Sequence, residues 1–202
     1  GRYVQFNSDE AIDAPVAENT VKILTWNVGR FALHDKAAGV SGISQCVDSV
    51  FTFIKQQDPD IICLQEFSVG SKEKVRDYLN RKFKGYTAEY YLFPEKNRSF
   101  GNVTLSRLPV DGKGKIKFEE SANLAIYTDH TYGDRSFRVY NCHFESYNIS
   151  LAGLVRAVAK RDSTVMAETG TKMKRSITRR PKQVDRVFDD IENCPLDAFV
   201  CG

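Results

Sequence analysis

From Val21 onward the spacing of apolar positions changes period several times. "VKILTWNV" reads as a strand, and "ISQCVDSVFTFIKQQ" carries Ile43, Val47, Val50, Phe51 and Ile54 at helical spacing. "DIICLQEF" is almost continuously apolar up to Leu64, as a strand covered on both faces would be. "SKEKVRDYLNRKF" opens on Ser71, a candidate N-cap, and predicts a second helix. After Gly85 the texture turns all-β. "YTAEYYLF", "FGNVTLSRL", "KGKIKF", "ANLAIYTDHTY" and "SFRVYNCHFES" are short runs rich in aromatic and β-branched residues, parted by Gly, Asn and Asp. Two further helices are expected over 151–166 and 176–192, then a last short strand ending at Cys201. Helices flanking strands at both ends of the chain predict an α/β (α+β) fold in which two sheets pack together with helices outside.

Composition narrows this picture only modestly. A chain of 202 residues, 42% hydrophobic and 27% charged, suits one globular domain with a real core. Residues 1–20 are polar, acidic and irregular and read as a tail or linker, which leaves 21–202 as the domain. The formal charge of +3 suits nucleic acid, anionic lipid or a small phosphate ester equally well. Locally the balance is sharper: Arg156 to Arg186 holds ten Lys or Arg and three acids. That stretch is either a set of solvated helix faces or a surface for an anionic ligand. Cysteines 46, 63, 142, 194 and 201 show no CxxC spacing, and three lie in strand-like runs, so buried free thiols are expected. No apolar run approaches the roughly 18 residues of a membrane span, no signal-peptide pattern opens the chain, and it is expected to be soluble as given.

Three strands finish on a polar group that apolar periodicity does not explain: Asn27 after "ILTW", Glu66 after "IICLQ" and His143 after "VYNC". Side chains at the ends of adjacent strands share one rim of a sheet, where loops leave a cleft. Each also has an ordinary reading. Glu66 suits an exposed strand-end carboxylate, His143 a satisfied and partly buried imidazole, and Asn27 an Asx turn ahead of Gly29.

Taken in order, "ILTWNVGRF", "PDIICLQEF", "FGNVTLSRLPV" and "VYNCHFES" resemble the endonuclease/exonuclease/phosphatase superfamily. Its relatives include pancreatic deoxyribonuclease, abasic-site endonucleases, inositol-phosphate 5-phosphatases and neutral sphingomyelinases. The resemblance covers 21–202 and implies a four-layer αββα sandwich of two mixed, mainly antiparallel sheets. It further implies that Glu66 is the principal ligand of Mg²⁺, with Mn²⁺ as the alternative. Asn27 would sit beside it, as a metal-site and catalytic residue that orients metal water or phosphate, and His143 would be the catalytic group that hydrogen-bonds the scissile phosphate. Arg179 and Gln183, in "RRPKQVDRVFDDI", resemble the Arg-x-x-x-Gln pattern that opens the helix before the family's next catalytic strand, and are read as structural first. The residue types suit the chemistry. Charge grows on phosphoryl oxygens as water attacks, and a hard cation held by one or two carboxylates neutralises it while keeping several waters.

In the superfamily that next strand continues into Gly-Asp-x-Asn, and a later Asp-His pair completes the site. The chain stops at Gly202. The sandwich is therefore expected to be incomplete at its C-terminal end, with the missing segment in the same protein or in a companion fragment, and the chain alone is expected to turn over little. For the complete protein the expectation is Mg²⁺-dependent hydrolysis of a phosphoester, foremost a phosphodiester in the manner of a nuclease, by a monomer acting on nucleic acid, phospholipid or a small ester. Two alternatives stand beside it: an inactive module that binds phosphorylated lipid or nucleic acid, and a phosphomonoesterase for a small soluble ester. The N-terminal tail resembles linkers that follow membrane anchors in some bacterial members, which suggests the soluble part of an anchored protein.

Overall fold

In the computed structural model, eight strands among the described residues form two four-stranded sheets. The structure describes residues 20–31, 43–119, 121–146, 155–156, 158–161 and 163–202. The expected tail, apart from Thr20, and the start of the helix expected over 151–166 lie outside the described residues. The first sheet has the order β1-β2-β4-β3, built from β1 (Ile23–Asn27), β2 (Ile61–Gly70), β3 (Thr87–Glu95) and β4 (Arg98–Ser106). The second runs β5-β6-β7-β8, from β5 (Val110–Lys117), β6 (Leu124–Tyr132), β7 (Arg135–Cys142) and β8 (Asp197–Cys201). Among the described strands only the β1–β2 and β7–β8 pairs are parallel. Both sheets are thus mixed and mainly antiparallel.

Side-chain alternation sets the layers. In β2, Ile62, Leu64, Phe67 and Val69 meet helix α1 (Ile43–Gln56) through Val50, Phe51 and Ile54, and helix α2 (Val75–Lys82) through Leu79. From the opposite face of β2, Ile61 and Cys63 pack on Phe137 and Val139 of β7, between the sheets. Tyr140 and Cys142 point the other way and meet Val187 and Ile191 of helix α3 (Ser163–Glu192). The result is the αββα sandwich. Arg138 fastens its outer layer, pairing with Asp129 at 2.6 Å and Asp190 at 3.2 Å, while the Tyr140 hydroxyl donates to Asp190 at 2.6 Å.

Toward one rim, the space between the sheets becomes polar. Gln65 Nε2 donates to Asn141 Oδ1 at 2.8 Å. Asn141 Nδ2 in turn donates to the Val103 carbonyl, and Asn102 Nδ2 to the carbonyls of Leu124 and Asn141. These amides sit in the Leu-Gln-Glu, Gly-Asn and Asn-x-His stretches, and they give buried backbone carbonyls at this rim a side-chain hydrogen bond.

Three boundaries differ from expectation. Strand β2 does not end at Glu66 but continues to Gly70, paired again with β4 from Phe67 onward. Its extension carries Ser71 into a backbone hydrogen bond with the Asn97 carbonyl, so α2 starts later, with Lys74 at the N-cap position and no side-chain cap bond. The helices expected over 151–166 and 176–192 are not separated after Met166, because α3 runs unbroken from Ser163 through Pro181 to Glu192. Buried Ser176, Gln183 and Val187 hold it to the body on both sides of the proline. The cysteines are free thiols, with 46, 63 and 142 buried.

Candidate active site

Strand β2 carries a β-bulge. Leu64 pairs with Val103 and Phe67 with Gly101, so Gln65 and Glu66 together stand opposite the single residue Asn102. Glu66 takes up the extra length with a left-handed backbone, φ 50°. A non-glycine residue there is strained, and bulges of this kind re-aim a side chain next to a functional site. On the other side of β4 the backbone of β3 approaches closely, since a Cβ on Gly101 would collide with the carbonyl oxygen of Tyr91.

Asn27 and His143 converge on one oxygen of this carboxylate. Asn27 Nδ2 donates to Glu66 Oε1 at 3.1 Å, and His143 Nε2 lies 3.2 Å from the same atom. Among the described residues Oε2 takes no hydrogen bond. The orientation of the Asn27 amide follows from its neighbour, because Gly29 N–H donates to Asn27 Oδ1 at 3.0 Å and requires the oxygen on that side. The Asx turn and the contact with Glu66 therefore coexist. His143 lies just beyond β7, its backbone N–H donating to the Leu124 carbonyl at 3.0 Å. Hydrogen bonding from His143 holds the Glu66 carboxyl below the ordinary carboxylate range against the opposing effect of burial, with Asn27 and the charge of Arg30 adding to the same side. An ionised Glu66 has no proton to give, so His143 Nε2 is the donor of the pair.

These groups line a cleft of about 500 Å³ whose walls also carry Arg30, Phe100, Asn123, Glu145, Arg175 and Arg179. Sequence reasoning missed most of that wall. Glu145 is buried and paired with Arg175 at 2.5 Å, and its backbone N–H donates to Gln183 Oε1 at 2.7 Å. Gln183 therefore supports the wall from behind, in line with a structural reading, whereas Arg179 faces the cleft. The 30-residue separation of Glu145 and Arg175 leaves no local signal by which they could have been paired.

The donor set fits a hard divalent cation. One ionised carboxylate with an oxygen to spare, beside a side-chain amide, suits Mg²⁺ or Mn²⁺, which keep most of their waters. Among the described residues no group of three or more His, Cys, Asp or Glu is placed to hold a metal, as zinc would require.

A model of the family described as Endonuclease/Exonuclease/phosphatase matches residues 24–202. The chain belongs to that family. Among curated proteins no sequence matches it. Among solved structures, a D. rerio TDP2 humanized by 14 mutations aligns at 16% identity with a TM-score of 0.57, covering 89% of this chain and 63% of that one. D. rerio TDP2 complexed with a single-strand DNA product aligns equally well, over 58% of its length. At that identity the likeness concerns the fold, and this chain spans about 60% of these two D. rerio TDP2 chains.

Proposed function

We propose that the protein containing this chain is a Mg²⁺-dependent phosphodiesterase of the nuclease type, with Mn²⁺ able to replace Mg²⁺. The observation that carries this reading is the convergence of Asn27 and His143 on the carboxylate of Glu66, a residue with a strained backbone, in a cleft walled by arginines. Glu66 would hold the cation, with Asn27 beside it. When bound, the cation supplies neutralisation of charge on the phosphoryl oxygens and a more acidic water.

The chain's own groups account for the rest. Asn27 fixes the Glu66 carboxylate through one amide hydrogen while its oxygen is anchored by Gly29. With substrate bound, the Nε2 hydrogen that His143 gives to Glu66 would turn to a nonbridging oxygen and stabilise the negative charge that builds during attack. Arg30 and Arg179 make the walls attractive to an anion. D. rerio TDP2 accommodates a single-strand DNA product, and cationic walls of this kind suit a phosphate strand.

The test is a panel of phosphodiesters, phosphomonoesters and nucleic acid, with and without Mg²⁺, on the parent protein and Glu66→Gln. Metal-dependent diester cleavage that is lost in the variant supports the reading. Cleavage and metal affinity that both persist in Glu66→Gln overturn the assignment, and binding without turnover in the parent identifies a module that only binds.

A further inference from the structure

Resting on the phosphodiester reading, we infer that Arg30 is a specificity-determining residue that binds a second phosphate of the substrate, next to the one at Glu66. The first observation is backbone strain. Gly29, Arg30 and Phe31 are consecutive left-handed residues with φ of 53°, 58° and 58°. Only the glycine adopts this conformation freely. For Phe31 the strain is offset by packing, since its side chain is fully buried, edge-on to Phe51 and Phe67. Arg30 has no such compensation. Its side chain is 44% exposed, and it reaches into the cleft that Glu66 and His143 line.

The second observation is how firmly the guanidinium is held there. It lies 4.1 Å over the ring of Phe100, which is backed by Phe93 with ring centroids 6.0 Å apart. Nη1 pairs with Glu95 at 2.6 Å. An exposed ion pair of this sort contributes little stability and does not account for keeping an arginine in a left-handed position. It does orient the fork. Nη2 and Nε make no hydrogen bond to a described residue, and two parallel donors on a fixed plane are the arrangement that receives a phosphate. Its charge already bears on Glu66, helping to keep that carboxyl ionised. Strain without burial, a stacked and oriented guanidinium, and a place on the wall of the site all point to a ligand anion that the reaction centre itself does not take.

Binding measured calorimetrically at fixed ionic strength, in Mg²⁺ and again in chelator, tests this. The probes are thymidine 3′,5′-bisphosphate, thymidine 5′-monophosphate and inositol 1,4-bisphosphate, and the proteins are the parent, Arg30→Gly and Arg30→Lys. The parent should prefer a bisphosphate over the monophosphate by about tenfold or more, the scale of charged hydrogen bonds. Arg30→Gly should bring that preference to within about twofold while melting no lower than the parent, because glycine relieves the strain. Arg30→Lys should recover only part of it. Preference for the nucleoside bisphosphate indicates a nucleic-acid strand, and for the inositol compound a small polyphosphate ester; either supports the clamp. An unchanged preference in Arg30→Gly, or none in the parent, overturns the inference but leaves the hydrolase reading to the Glu66→Gln assay. Failure of the parent to bind any probe counts against both.

Discussion

Gln65 and Asn141 meet across the two sheets, Nε2 to Oδ1 at 2.8 Å, directly beneath the bulge that carries Glu66. Asn141 also donates to the Val103 carbonyl at 2.9 Å and lies near the Leu64 carbonyl and the Thr104 hydroxyl. Asn141→Leu should leave these groups buried without partners and destabilise the domain by about 2–4 kcal/mol, in keeping with two or so unsatisfied polar groups. Urea denaturation of parent and variant measures it. A midpoint unchanged by the substitution would mean that the amide lattice contributes nothing to holding the sheets together.

Asn27→Asp separates the two duties of Asn27. The carboxylate can still accept from Gly29 N–H and keep the turn, but it sets a negative charge beside Glu66 Oε1 in place of a donor. The Glu66 pKa should rise and turnover should fall about tenfold or more, with stability nearly intact. An NMR titration of the Glu66 carboxyl carbon, run beside the activity assay, tests the cause: reduced turnover with an unmoved titration would refer the loss to something other than Glu66.

The depressed Glu66 pKa also fixes an acid limit. Because the folded-state value lies below the unfolded one, the carboxylate's contribution to stability is fully present above the ordinary carboxylate range and is lost as pH falls through the folded value. Metal affinity should follow the same limb, flat from neutrality down to the usual glutamate range and falling below it. In His143→Ala the largest cause of the depression is gone, and the limb should move to higher pH. Mg²⁺ titrations at stepped pH would show the displacement, and an unmoved limb would exclude His143 as its source.

Arg175 and its basic neighbours on α3 should behave differently. Arg175 is tied to buried Glu145, so Arg175→Gln should cost about 1–3 kcal/mol by leaving a carboxylate poorly paired. Lys172 and Lys174 are exposed. Replacing both by Gln should leave the melting temperature in place and flatten the log–log salt dependence of single-strand binding by about 0.7 for each phosphate no longer neutralised. A slope that does not change would remove the start of α3 from the nucleic-acid surface.

Much of the architecture was legible because period and texture carry it: helical spacing in α1, short β-rich runs after Gly85, and strand ends at Asn27 and, to within one residue, at His143. The three polar residues singled out from the sequence do meet in space. The bulge was not legible, because one inserted residue breaks a period-2 pattern and resembles the end of a strand. Nor was the Arg30 turn, since intrinsic preference places neither Arg nor Phe in a left-handed conformation. The roles of Gln65, Asn102 and Asn141 were hidden for another reason. Which polar side chain reaches across to the other sheet depends on how two sheets, each regular by itself, are laid together.

The bulge in β2 has a consequence for how scaffold and chemistry are related. Ile61 and Cys63 face the other sheet, while Ile62, Leu64, Phe67 and Val69 face the helices. If Glu66 is struck from the strand, "IICLQFSVG" alternates between the two sides without interruption, and no left-handed residue is needed. The deletion variant should fold with both cores in register, melt no lower than the parent, and bind no divalent cation, which thermal melts and Mg²⁺ titration would establish. The carboxylate proposed to hold the cation is then an added link in a strand already complete without it, and gaining or losing it is a matter of chain length as much as of side-chain identity.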